Sequence, residues 1–337
     1  MSVRLSFILP CYNVDRYVAE CLDSIYAQGI PENEFEVIAV NDCSTDGTRA
    51  VIASYAEKHN NLRLIDHETN LTAGGARNTG ISAAKGDHIW FVDPDDAIKE
   101  NCLKELLGKV EEKAADILFF NFEDCDERLQ LNKKDMTFPA SDILSGQEYV
   151  QRYFPGRLSR FGIIWRAIFR TGFLKDNGLQ YPHIRKAQDV VFLWKSMLYA
   201  SRVCSVDNVY YRYRNNPYSV MKHQLEAHVA FADRILRGYE IEKMLTGTKV
   251  DLLPVIHDNL IQAVKWSANY NLELIAPMSD QEKEKYYHEI KENKEAVTSL
   301  KPYMNRKSRL LFDTSLGKTY WLWKADLLSK RELKRKG

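Results

Sequence analysis

No run in the 337-residue chain approaches the roughly 18 to 20 uninterrupted apolar residues of a membrane-spanning helix, so any membrane contact is expected to be peripheral. Six cysteines (11, 21, 43, 102, 125 and 204) contain no C-x-x-C pair, and the first residues lack the pattern of a secretory signal. A reduced, cytoplasmic setting is the expectation. An excess of one charge is also missing: 47 basic and 46 acidic residues leave a net +1, so no global field recruits nucleic acid. The first strand is followed by Pro10-Cys11-Tyr12-Asn13. That is neither the glycine-rich turn of a nicotinamide dehydrogenase nor the glycine- and arginine-rich loop of a sugar nucleotidyltransferase.

What is present begins with an alternation. Arg4 to Pro10 reads as a buried strand, and apolar residues at 14, 18, 22, 25 and 26 predict a helix over Val14 to Gln28. The same order repeats through Phe35 to Val40, Thr48 to Lys58, Asn61 to Ile65, Ala73 to Ala84 and Asp87 to Val92. Strands separated by helices of this length predict a parallel sheet with both faces covered, and ligands in such sheets bind at the carboxyl ends of the strands. Three polar clusters fall there: Pro10 to Asn13, Asn41-Asp42 with Asp46, and Asp93 to Asp96. The acidic run precedes an expected helix over Ala97 to Val110. Packed carboxylates repel, and a hard divalent cation shared with substrate phosphates would relieve them; a solvated turn with a helix cap is the plain alternative.

The motifs F-I-L-P-C-Y-N at 7 to 13, V-N-D-C-S-T-D-G-T at 40 to 48, A-R-N-T-G at 76 to 80 and G-D-H-I-W-F-V-D-P-D-D at 86 to 96 give a chain that resembles the family 2 glycosyltransferases. The resemblance covers about the first 110 residues. It implies a GT-A fold, a Rossmann-like and mostly parallel α/β sheet flanked by helices, and an inverting enzyme using a nucleoside diphosphate sugar, by expectation a UDP-sugar. Pro10, Tyr12, Asn13, Asp42 and Asp46 would then line the nucleotide, with Arg77 a phosphate or sugar contact or a surface arginine. Asp93 and Asp95 would form the DxD metal motif for Mn²⁺ or Mg²⁺, with Asp96 as ligand or helix cap and His223 as a candidate third ligand. The loop departs from the family in reading Asn70-Leu71-Thr72-Ala73-Gly74-Gly75, its glycines displaced toward the helix.

Beyond the first sheet, Asp116 to Phe122 reads as a strand, Glu123 to Thr137 as a hairpin or excursion, Ser141 to Tyr153 as a helix, and Ile163 to Arg170 as a segment entering a helix that ends at Asn177-Gly178. Gln188-Asp189 opens the next helix where the family usually has Glu-Asp, so Asp189 would be the catalytic base, with a helix N-cap as its alternative. Val203 to Tyr213 reads as a closing strand, and Arg212 and Arg214 would neutralise the diphosphate leaving group.

These segments set a catalytic region over 1–224, divided near 110 into nucleotide and acceptor parts. Helices expected at 226–245, 251–270, 279–300 and 320–334 make 225–337 a helical appendage. From Lys318 to Gly337 seven Lys or Arg stand against two acids, beside aromatics, as in helices that rest on anionic membranes. A glycan or lipid-linked glycan acceptor in bacterial surface polysaccharide assembly is what the resemblance implies. The competing expectation is an inactive GT-A scaffold that binds carbohydrate or a partner. Carboxylates intact at 42, 93, 95 and 189 speak against it.

Overall fold

This computed structural model describes residues 3–134, 139–154, 163–216, 226–247, 250–269, 278–315, 317–319, 321–325 and 327–328. They form two compact units, Met1–Lys222 and His223–Gly337. The first is built on a nine-stranded sheet comprising β1 (Leu5–Cys11), β2 (Phe35–Asn41), β3 (Leu62–Asp66), β4 (His88–Phe91), β5 (Ala97–Ile98), β6 (Ile117–Cys125), β7 (Leu131–Lys134), β8 (Ala167–Arg170) and β9 (Val203–Arg214). The order is β3-β2-β1-β4-β8-β6-β9-β5, with β7 paired to β6. Strands β3, β2, β1 and β4 are mutually parallel, as are β6 and β9.

Strand β1 is buried along its whole length, and its side chains divide by parity between two layers. Leu5, Phe7, Leu9 and Cys11 enter one apolar cluster with Val18, Cys21, Leu22 and Ile25 of α1 (Val18–Tyr26), whose spacing puts them on one helical face. On the other face Ile8 meets α3 (Thr72–Ala83): a Cβ on Gly80 would lie 2.3 Å from Ile8 Cγ2, so only glycine lets this helix close on the strand. Each large side chain so buried contributes about 1.5–3 kcal/mol. Trp90 of β4 anchors the centre, its ring 5.6 Å from Phe7 and 5.2 Å from Phe120.

Two expectations change. Ala97–Ile98 is not helical: it is strand β5, buried and paired with Tyr211 and Arg212 of β9, and the helix α4 starts only at Leu103 and runs to Lys113. The segment before Asn177-Gly178 also contains a strand. Ala167–Arg170 lies antiparallel between β4 and β6, and its helix, α6, is Thr171–Asp176. Both are short apolar runs whose conformation is decided by the neighbour they pair with. The remaining helices of this unit are α2 (Thr48–Ala56), α5 (Gly146–Tyr153), closed by a Ser145–Glu148 capping box, and α7 (Gln188–Tyr199).

The second unit is helical among the described residues: α8 (Ala227–Gly247), α9 (Pro254–Ala268), α10 (Asp280–Glu292), α11 (Lys294–Leu300) and α12 (Arg306–Phe312). The helix expected over 279–300 is thus two, meeting at Asn293. Phe231, Ile235 and Met244 are buried, as are Leu260, Tyr286 and Leu300. No helix among the described residues is long and apolar enough to cross a membrane. Most of the basic stretch after Lys318 lies outside the described residues.

Candidate active site

Because β1, β2 and β4 run in one direction, their carboxyl ends bring Tyr12-Asn13, Asp42 and Asp93 to one edge. The first loop is pinned by its neighbour: Asn13 (φ 52°) accepts from Thr45 N at 2.8 Å and donates from its backbone to Ser44 Oγ at 3.1 Å. Tyr12 is left 42% exposed, its ring open to a ligand. Asp46, expected at the nucleotide, staples the loops, accepting from Thr48 N at 3.0 Å and Asp15 N at 3.2 Å. Burial opposes its ionisation, but these bonds outweigh that and hold its pKa below the usual value.

Asp42 is 2% exposed. Its Oδ1 accepts from Leu71 N at 2.8 Å and lies 2.7 Å from His67 Nδ1, while its Oδ2 is buried with no partner. An orphaned buried carboxylate oxygen is costly unless a donor reaches it.

The acidic run at the end of β4 is divided into unequal parts. Asp96 is fully engaged within the protein: Tyr211 Oη donates to its Oδ2 at 2.7 Å and Arg214 N to its Oδ1 at 2.7 Å. The helix-cap alternative is corrected, since a strand and not a helix follows Asp96, and each carboxylate oxygen already accepts one protein hydrogen bond. Tyr211 also accepts from Asp93 N at 3.1 Å, and its ring stacks on Trp165 at 4.4 Å, so the turn rests on a fixed aromatic platform. Burial, then Asp95 and Asp93, push the Asp96 pKa well up. Asp95 is raised by burial and by Asp93; its Oδ2 accepts from Asn216 Nδ2 at 2.9 Å.

Arg77 is buried in α3, not on its surface. Nη2 donates to Asp93 Oδ1 at 2.7 Å, the guanidinium lies 5.4 Å from the centre of the Tyr181 ring, and Nε has no partner. Burial works against its charge, but Asp93, Tyr181 and Asp189 prevail and raise its pKa. Asp189 stands in the first turn of α7 after Ala187, which holds a left-handed φ of 62°, so Asp189 is inside the helix and is not its N-cap. Burial raises its pKa, Arg77 draws it down and Asp93 adds to the rise, which puts Asp93, Arg77 and Asp189 in one electrostatic group. The displaced glycines have a use here: a Cβ on Gly74 would stand 3.1 Å from Gln188 Cγ and 3.2 Å from Tyr181 Cβ, so glycine lets α3 approach α7.

Arg214 is held by protein acceptors. Nε donates to Asp95 O at 2.6 Å, Nη1 to Glu127 O, and Nη2 to Glu20 Oε2 at 2.6 Å, so each of its nitrogens already holds a protein acceptor. Arg212 likewise faces Glu123 at 3.7 Å and donates to Leu129 O. His223 lies outside the described residues. Sequence reasoning missed His67, Tyr211 and Tyr181, whose Oη is buried without a partner. His67 carried a signal, since it follows β3 at the same carboxyl edge; the two tyrosines carried none.

A divalent cation fits this donor set. Asp93 and Asp95 offer hard oxygens, one of each already oriented by Arg77 or Asn216. Among the described residues no group of three or more His, Cys, Asp or Glu is placed to cage a metal. Two carboxylates completed by substrate phosphates and water is the way Mg²⁺-type ions are commonly held.

The model of the family described as "Glycosyl transferase family 2" matches residues 6–177, about half of the chain. The chain belongs to that family. Within it, the chain is 32% identical over 213 residues to the poly(ribitol-phosphate) beta-N-acetylglucosaminyltransferase TarS of Staphylococcus aureus, covering 62% of this chain and 35% of that protein. It is 27% identical over 285 residues to the glycosyltransferase GlyG of Streptococcus pneumoniae, covering 80% of this chain and 91% of GlyG. The chain thus spans about a third of the length of TarS. The crystal structure of S. aureus TarS 1-349 in complex with UDP-GlcNAc superposes with a TM-score of 0.64 at 23% identity, over 98% of this chain and 92% of that one. The fold is therefore the GT-A glycosyltransferase fold expected of the family.

Proposed function

We propose that the chain transfers a sugar from a uridine diphosphate sugar to a hydroxyl of a glycan or lipid-linked glycan, with inversion, in the assembly of a bacterial surface polysaccharide. The observation that carries this reading is the grouping about α3: Arg77 bonds Asp93 and acts on Asp189, and Leu71 at the helix start bonds Asp42, whose Oδ2 is unpartnered. A carboxylate oxygen only accepts, so Asp42 suits a base that presents N–H, as uracil does at N3. TarS, solved with UDP-GlcNAc and with UDP, supports the choice of donor; its printed acceptor, poly(ribitol phosphate), supports an acceptor in a surface polymer.

Asp189 would take the proton of the acceptor hydroxyl as that oxygen attacks the anomeric carbon. Burial raises its proton affinity, and Arg77 draws it part of the way back. Asp93 and Asp95 would hold Mn²⁺ or Mg²⁺, which when bound supplies positive charge to the diphosphate leaving group. Arg212 and Arg214 already hold protein acceptors, so most of that charge is assigned to the metal. Hydrolysis of UDP-, GDP- and CDP-sugars with Mn²⁺, and after EDTA, tests the reading. Turnover of a UDP-sugar that EDTA abolishes and Mn²⁺ restores is expected. No turnover and no metal-dependent UDP binding would leave the chain a binding scaffold.

A further inference from the structure

Asp42 is useful to a donor only if its free oxygen points one way, and the structure shows what aims it. His67, 7% exposed at the side chain, follows directly on β3. Its backbone N–H donates to Asn41 O at 3.0 Å, and Cys43 Sγ lies 3.1 Å from its carbonyl, so the residue is fixed against the end of β2. The ring then spans two elements: Nδ1 lies 2.7 Å from Asp42 Oδ1 and Nε2 lies 2.9 Å from Thr79 Oγ1 in α3. An ionised carboxylate only accepts, so Nδ1 carries a proton toward Asp42, while Nε2 is held by the Thr79 hydroxyl, a group able to donate or accept. With Leu71 N on the same oxygen at 2.8 Å, Oδ1 is saturated and turning the carboxylate would break two bonds at once. The unpartnered Oδ2 is the consequence.

We infer that His67, oriented by Thr79, is a positioning residue that makes Asp42 read an N–H on the nucleobase. It therefore sets the preference for uracil over cytosine, whose N3 is an acceptor and would face a lone pair. The inference rests on the donor-site reading above and adds to it the element that enforces base choice. Nothing in the chemistry requires histidine to touch the nucleotide. Its effect passes through Asp42.

The test measures UDP and CDP affinity by calorimetry with Mn²⁺ for the full chain and for His67→Phe, His67→Asn, Thr79→Val and Asp42→Asn, each checked for folding by circular dichroism. His67→Phe removes the donor to a charged group, and about a tenfold or greater loss of UDP affinity is expected, with CDP little changed. His67→Asn keeps an N–H near the Nδ1 position and should recover most of the loss. Thr79→Val, which releases the far side of the ring, should fall between. UDP binding within twofold of wild type in folded His67→Phe overturns the inference, as does a loss in His67→Asn equal to that in His67→Phe. If His67→Phe does not fold, unchanged UDP affinity in Thr79→Val overturns it instead. Asp42→Asn binding UDP like wild type would remove the donor-site reading itself, a failure distinct from the others.

Discussion

Arg77 Nη2 donates to Asp93 Oδ1 at 2.7 Å while the same guanidinium lies over the ring of Tyr181. One buried arginine thus ties the end of β4 to the segment that leads into α7, and so ties the proposed metal motif to the proposed base. Tyr181 is itself held: its backbone N–H donates to Asn78 Oδ1 at 2.8 Å, and its ring stacks on Phe192 at 4.0 Å.

Arg77→Gln is expected to lower donor turnover by about tenfold or more, since it removes a charge-assisted bond to Asp93. Because Arg77 draws the Asp189 pKa down, its loss also lets that pKa rise further. The acid limb of the rate profile should then move to higher pH, whereas Arg77→Lys should leave it near its wild-type position. Steady-state rates against pH for the three proteins check this, and an unmoved limb in Arg77→Gln would separate Arg77 from the base.

Asp189→Asn should cost about 10²–10⁴ in transfer rate while UDP binding persists. A raised carboxylate pKa means the active, ionised form is lost as pH falls through a value above the ordinary figure of about 4. The wild-type acid limb should therefore lie above that figure. Full transfer by Asp189→Asn would assign the base elsewhere.

Arg214→Met is expected to act on stability. It leaves the carbonyls of Asp95 and Glu127 without their donor and Glu20 without its partner; Glu20 is half exposed and can be hydrated. A loss of about 3 kcal/mol is expected, read as a lower urea midpoint. A wild-type midpoint with lost UDP affinity would return Arg214 to the diphosphate.

Much of the fold was legible because it is local. The strands through Phe91 and the helices between them follow from hydrophobic period and turn residues, and their ends fall within a few residues of the expected positions. Asp42 and Asp93 were placed at the sheet edge by the same reasoning, which needs only strand direction. Applied to β3, it would have found His67 too.

The sequence by itself determined the alternation, the acidic run, the position of Asp189 at the start of a helix and the likeness to family 2, because each is a property of a few neighbouring residues. The tertiary structure decided which charges are free. Asp96 and Arg214 are 118 positions apart, as are Asp93 and Tyr211, and those pairings tie the acidic run to β9. It also placed β8 antiparallel inside the sheet and made Ala97–Ile98 a strand. No local pattern contains such information, since a hydrogen bond between distant residues depends on where the whole sheet brings them, and only then does the unpaired oxygen of Asp42 become visible.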